Sequence, residues 1–140
     1  MSNARDIRPG LNGMAEIMVG EVHTAPHVGS GRVQVLATPV MVNLMEAAAL
    51  QAVEGWLPAG HQTVGTHLDI THTAATPVGM RVRAYAEVTK VEKRTLTFSV
   101  YAEDEQERIG GGVHERMIVN LERFDARLQE KLKLVGKRQG

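Results

Sequence analysis

The sequence predicts an α+β chain in which a long buried helix is wrapped by a curved antiparallel sheet and followed by a C-terminal helix. Three observations predict it. Between Thr38 and Glu54 the chain is apolar on nearly every side, interrupted only by Asn43, Glu46 and Gln51, which marks a helix enclosed by other structure. Residues 79–91 and 95–103 alternate apolar and polar with the period of two that half-buried strands show. Beyond them Phe124, Leu128, Leu132 and Val135 recur near helical spacing with charges between.

Taken in order, residues 14–22 read as a first strand, and residues 23–32, rich in Gly, His, Pro and Ser, as a loop. Val33 to Ala37 is a short extended piece. Thr38-Pro39 opens the long helix, with threonine as N-cap and proline at the first helical position; Gly55 ends it in a left-handed turn. Trp56 to Gly60 is a turn. The stretch from Gly65 to Pro77 begins as a strand with Thr66, Leu68, Ile70 and His72 on one face and His67, Asp69, Thr71 and Thr73 on the other. Leu68 and Ile70 are expected to face a core, and His72 with them. Met80, Val82, Ala84, Ala86 and Val88 form the inner face of the next strand, and Leu96, Phe98, Val100 and Ala102 that of its neighbour, joined by a hairpin at Glu92-Lys93-Arg94. Residues 113–121 are the last strand, entered through a flexible Gly110-Gly111-Gly112. A helix wrapped by such a sheet is the hot-dog fold, here as one domain over residues 1–140. One sheet covers the helix on one side only. The leftover apolar surface predicts a homodimer, with sheets joined edge to edge or back to back.

Composition removes several function classes. The 140 residues are 43% apolar, as in ordinary soluble domains, and 16 basic side chains balance 16 acidic ones. That balance gives no footprint for nucleic acid or an anionic membrane surface. No run of eighteen apolar residues calls for a membrane span, and the opening Met1 to Arg8 has no signal-peptide core. Ser2-Asn3-Ala4 carries no structural expectation. With no cysteine, disulfides, thiolate metal sites and cysteine nucleophiles are excluded. The expectation is a cytoplasmic protein with no cofactor and no metal.

Two ionisable groups stand alone on apolar surfaces. An inward His72 needs a polar partner, because an unpaired buried polar group costs about 1–3 kcal/mol. Glu46, the one charge inside the apolar helix, is the candidate partner. Thr38 lies eight residues before Glu46, a little over two turns, so both lie near one helix face. Each residue also has a plainer reading: Thr38 as a cap, Glu46 paired with a buried arginine, His72 as a hydrogen-bonded core histidine, Gly65 as a turn. His67 and Asp69 share a strand face, but two metal ligands without a third are weak.

The strings Thr38-Pro-Val-Met-Val-Asn-Leu-Met-Glu46, Gly65-Thr66, Thr71-His72-Thr-Ala-Ala-Thr-Pro77 and His114-Glu-Arg116 resemble the fluoroacetyl-CoA thioesterase family of hot-dog enzymes, from about Val35 to Phe124. The resemblance implies dimers that hydrolyse acyl-CoA thioesters. It implies Thr38, Glu46 and His72 as the catalytic group and the Gly65 amide as donor to the thioester oxygen. Thioester hydrolysis needs a nucleophile or an activated water, a proton for the leaving thiolate, and hydrogen bonds to the oxyanion. Glu46 is then the base for water, or a direct nucleophile through an anhydride. His72 assists proton transfer and Thr38 orients the acyl group. Met41 and Met45 are candidate pocket residues. His114 and Arg116 share a strand face, where they touch substrate or serve a dimer interface. Arg81, Arg83, Lys90, Lys93 and Arg94 are either contacts to CoA phosphates or an ordinary polar sheet face. The fluoroacetyl-specific member carries phenylalanines just before its catalytic threonine, whereas Gly29 to Leu36 has no aromatic here. This departure implies a different acyl group, and the Gly-rich segment a mobile entrance. Two other readings compete. A non-catalytic acyl-CoA binder is disfavoured by an intact Thr38, Glu46 and His72. An enoyl-CoA hydratase is disfavoured because the helix carries no histidine.

Overall fold

In the computed structural model, which describes residues 6–139 and the side chains of residues 6–136, the chain runs β1 (Asn12–Met18), α1 (Ala25–Val28), α2 (Thr38–Val53), β2 (His61–His72), β3 (Arg81–Glu92), β4 (Thr95–Glu103), β5 (Arg108–Asn120) and α3 (Leu121–Gln139). The opening residues discussed above, as far as residue 5, lie outside the described ones. The five strands make one antiparallel sheet in the order β1-β3-β4-β5-β2. This is the expected hot-dog arrangement: a curled sheet, a long central helix and a C-terminal helix.

Helix α2 is held by one dense face. Met41, Leu44, Met45, Ala48, Ala49, Ala52 and Val53 are buried, at the spacing that keeps them on one side. They meet Val82, Ala84, Ala86 and Val88 of β3 and Leu96, Phe98 and Val100 of β4, all buried. The alanines let β1 cross close: a Cβ on Gly13 would strike the Ala48 carbonyl, the Gln51 side chain and the Ala52 amide. The helix starts one residue differently from expectation. Ala37 is the N-cap residue, so Thr38 is the first helical residue and its hydroxyl makes no capping bond. The helix also ends differently. It tightens into a 3-10 turn at Glu54–Trp56, and the left-handed residue is Gly60 (φ 79°) instead of Gly55.

The sheet departs from the sequence reading in three places. The first strand ends at Met18, and the segment after it forms a 3-10 turn at Glu21–His23 and then α1. Gly110 to Gly112 is no flexible entry, because it lies within β5, paired to β2 on one side and β4 on the other. Glycine is needed there for close approach: a Cβ on Gly110 would meet the Thr71 carbonyl and the Met41 thioether. Finally, β2 is an edge strand. Leu68 pairs with the fully buried His114 and so points to the inner face, yet it is 43% exposed. Helix α2 packs on β1, β3 and β4 and barely reaches β2, which leaves an open cleft along that edge. Helix α3 follows β5 directly, with the Leu121 amide bonded to the Gly60 carbonyl, and packs on little besides the end of β5.

Candidate active site

Two polar clusters line the cleft between α2 and β2. The inner one is built around Glu46, which α2 carries at the cleft side with 35% of its side chain exposed. Glu46 does not reach His72. Its Oε2 accepts a hydrogen bond from Arg116 Nη1 at 3.2 Å and stands 3.7 Å from His114 Nε2. The plainer reading of Glu46, a carboxylate paired with a buried arginine, is therefore correct as far as its partner goes. Arg116 is itself fixed. Its Nε donates to Thr63 Oγ1 at 2.9 Å, its Nη2 to the Thr63 carbonyl at 3.1 Å. His114 is fully buried, and its Nδ1 lies 2.8 Å from the His67 carbonyl. A carbonyl can only accept, so Nδ1 carries the proton. The free Nε2 lone pair then accepts from Arg116 Nη1 at 3.2 Å. His114 is thus neutral. Burial pushes its pKa down, the His67 carbonyl opposes that, and the Arg116 charge adds to the fall. Burial likewise draws the Arg116 guanidinium down, with Glu46 opposing.

Gly65 lies directly beneath the Glu46 carboxylate. A Cβ there would collide with Glu46 Oε2 and crowd His114 and Arg116. The residue sits where β2 slips register between Gly65 and His67. Such a bulge frees backbone groups from the ladder, and glycine lets a ligand approach them.

The second cluster lies two helical turns away, about 12 Å along the α2 axis. Thr38 Oγ1 and His72 Nδ1 are 2.7 Å apart. They line a cavity of about 260 Å³ with Ala25, Ser30, Val35, Leu36 and Ala74. His72 is half-buried, not enclosed, because β2 is an edge. Burial pushes its pKa below the ordinary 6.5, with the Ala74 backbone opposing, so it is neutral at neutral pH. A neutral His72 carries one ring proton, and whether Nδ1 or the Thr38 hydroxyl donates follows the tautomer. Its Nε2 is buried with no hydrogen-bond partner among the described residues.

The remaining candidates divide. Met41 and Met45 lie in the core with no exposed surface, so neither borders the open cleft of a single chain. Arg116 does border it, through Glu46. His67 and Asp69 point to the outer face of β2 and are exposed. Among the basic residues Arg81 and Arg83 are tied to Glu16, and Lys90 to Glu92. Thr63 and the tautomer-fixing role of His114 escaped the sequence reading. The alternation His114, Arg116, Ile118 hinted at an inner face, but nothing in the sequence linked Thr63 to it.

A hot-dog fold with a carboxylate poised on a bare backbone and a histidine–hydroxyl pair along one cleft has the parts of a thioester hydrolase. Comparisons with known proteins agree and specify the family. The family model for fluoroacetyl-CoA-specific thioesterase matches residues 19–122. The fluoroacetyl-CoA thioesterase of Streptantibioticus cattleyicolor is 44% identical over 98 residues, 70% of each chain. A solved structure of the fluoroacetyl-CoA thioesterase FlK superposes with a TM-score of 0.84 at 37% identity, covering 89% of this chain and 97% of that one. A thioesterase superfamily member from Thermus thermophilus gives 0.83 at 30% identity over 91% and 97%. A hot-dog-like protein from Thermanaerovibrio acidaminovorans, at 21% identity and 0.82 over 89% and 93%, attests the fold alone. The chain is a hot-dog thioesterase. It belongs to the fluoroacetyl-CoA-specific thioesterase family. No described helix is long and apolar enough to cross a membrane.

Proposed function

We propose that this protein hydrolyses an acyl-CoA thioester to the free acid and CoA, with an acyl group other than fluoroacetyl. The observation that carries the reading is the Glu46 carboxylate seated on the bare backbone of Gly65. A thioester carbonyl laid there meets a backbone donor and a carboxylate together. Glu46 Oε2 is occupied by Arg116, while Oε1 makes no hydrogen bond among the described residues. Oε1 takes a proton from water as the water oxygen bonds to the carbonyl carbon. The Gly65 amide holds the oxyanion. Collapse breaks the C–S bond, and the thiolate leaves with a proton returned by the site. Direct attack by Glu46 through an anhydride is the competing course, and hydroxylamine trapping of an acyl-enzyme separates the two. Structures of FlK mutants with acetyl-CoA, and with fluoroacetate and CoA, support the substrate class. The acyl group is read as different because the entrance segment Gly29 to Leu36 presents no aromatic side chain; Arg32 and Val33 are exposed there.

The working unit is a homodimer. The outer edge of β2 is 12 residues long and unpaired, with Leu68 exposed on its inner face, a template for a second copy. Pairing two such edges antiparallel, with the two-fold at Asp69, sets Ile70 opposite Leu68 and, with Thr66 bulged out between Gly65 and His67, His72 opposite Gly65 of the partner subunit. The two clusters of the cleft then close into one site across the seam, and the orphaned His72 Nε2 faces a second chain.

Free-thiol release from a panel of short, branched, aromatic and long acyl-CoAs, with wild type beside Glu46→Gln, tests the proposal. Turnover that falls about a hundredfold or more in the variant supports it and names the acyl class. Wild-type turnover in Glu46→Gln overturns it.

A further inference from the structure

Helix α3 has an apolar stripe that its own chain leaves bare. At about 100° per residue, Leu121, Phe124, Leu128, Leu132 and Val135 fall within roughly 80° of one another. Leu128 is 44% exposed, Leu132 63% and Val135 39%. A 19-residue helix carrying such a stripe in water needs a surface to cover it. The segment that supplies Ala25, Ser30 and Val35 to the Thr38–His72 cavity also carries three exposed valines: Val22 is 57% exposed, Val28 42% and Val33 68%.

We infer that α3 of each subunit packs on the partner's entrance segment, between Val22 and Val33, and forms the outer wall of the partner's acyl site. This rests on the dimer proposed above. In that pairing the His61 end of β2, where Leu121 is anchored to the Gly60 carbonyl, comes beside the partner's chain just past His72. There the Thr76 carbonyl bonds the Leu36 amide, which ties that stretch to the entrance segment. At about 1.5 Å per residue α3 spans roughly 28 Å, enough to cross it. A wall supplied by a second chain also takes the place of the aromatic side chains that the segment lacks.

The chain has no cysteine, so engineered thiols report contact cleanly. Leu128→Cys is combined in turn with Val22→Cys, Val28→Cys and Val33→Cys, and each protein is treated with a short bis-maleimide. All four positions are exposed, so the fold is kept. The expected result is a covalent dimer for at least one pair, formed about tenfold faster than with either single variant. Three outcomes overturn the inference: no pair cross-linking in a protein that is dimeric by light scattering, cross-linking within one chain, or Leu128→Cys alone linking to itself. A protein that is monomeric by light scattering overturns the dimer and this inference together. Loss of thioester hydrolysis in Glu46→Gln is measured separately, so the catalytic reading stands or falls by itself. A second measurement needs no thiol: Leu132→Glu should lower kcat/KM for long acyl-CoAs about tenfold relative to acetyl-CoA. An equal effect on both substrates overturns the wall.

Discussion

The two clusters of the cleft are built to different degrees of completion. Around Glu46 most of the polar groups are matched within the chain: Arg116 reaches Glu46 Oε2, His114 and both oxygens of Thr63, and His114 reaches the His67 carbonyl, while Glu46 Oε1 stays open among the described residues. The Thr38–His72 pair has one hydrogen bond between its members, and His72 Nε2 has no partner among the described residues. The first cluster takes Glu46 from α2 and His114 and Arg116 from β5, a strand paired on both sides, and only Thr63 and Gly65 from the edge strand β2. The second sits at the end of an edge strand. A largely closed network fixes one orientation of the carboxylate, whereas an open pair leaves a polar atom for a ligand to meet.

Subunit mixing breaks or sharpens that contrast with the largest effect. Glu46→Gln and His72→Ala should each lose about a hundredfold in turnover. Co-refolded together they should regain on the order of a quarter of wild-type activity per subunit if the site is shared, because half of the molecules are mixed dimers with one intact site. A mixture as inactive as its parents would place both halves of the site in one chain. The stability cost is expected to separate the clusters next. Arg116→Met removes the cation and leaves Glu46 and the Thr63 carbonyl unmatched, at about 2–4 kcal/mol in urea denaturation. His72→Ala, at a half-buried position with one hydrogen bond, should cost about 1 kcal/mol or less. Equal costs would mean that the clusters are not differently built.

Acid should reach the closed cluster by a weaker, graded route. His114 and His72 both have folded pKa values below 6.5, so the unfolded chain binds protons more readily. Their contribution to stability is full above about pH 6.5 and is lost as pH falls through the folded values. Denaturation midpoints measured from pH 8 to pH 5 should decline on the acid side, and His114→Asn should flatten part of the decline. An unchanged slope would remove His114 from the account. The smallest effect lies far from either cluster. Lys93 adopts φ 57° in the two-residue hairpin between β3 and β4, which costs a non-glycine residue about 1–2 kcal/mol. Lys93→Gly should therefore change stability only slightly, relief of strain being offset by the looser unfolded chain, with no change in turnover.

Much of this was legible in the sequence because it is local. The period-two alternation of Val82 to Val88 and Leu96 to Phe98 places those strands, and the apolar run after Thr38 places α2, since burial on one face leaves a period in the chain. What failed to show was set by neighbours. Gly110 to Gly112 reads as a flexible stretch until Met41 and the Thr71 carbonyl press against it. Ile70 does pack against the core, but Leu68, expected there with it, is exposed, because alternation cannot tell a strand backed by a helix from one at an open edge.

The candidate site divides along the same line. The spacing of Thr38 and Glu46 on one helix face, and the inward direction of His72, follow from 3.6-residue and two-residue periods and need no partner. That Glu46 would be held by Arg116, that His114 would be locked in one tautomer by the His67 carbonyl, and that Thr63 would complete the cluster depend on strand register between β2 and β5. Register is decided by the packing of the whole sheet, across 47 to 70 residues of chain, and not by any short stretch of it. Local periods assign Thr38 and Glu46 to one helix face, and His114 and Arg116 to one strand face. Which of these groups touch, and that Thr63 joins them, follows from how the sheet curls around α2, because no single segment encodes its contact with a distant one.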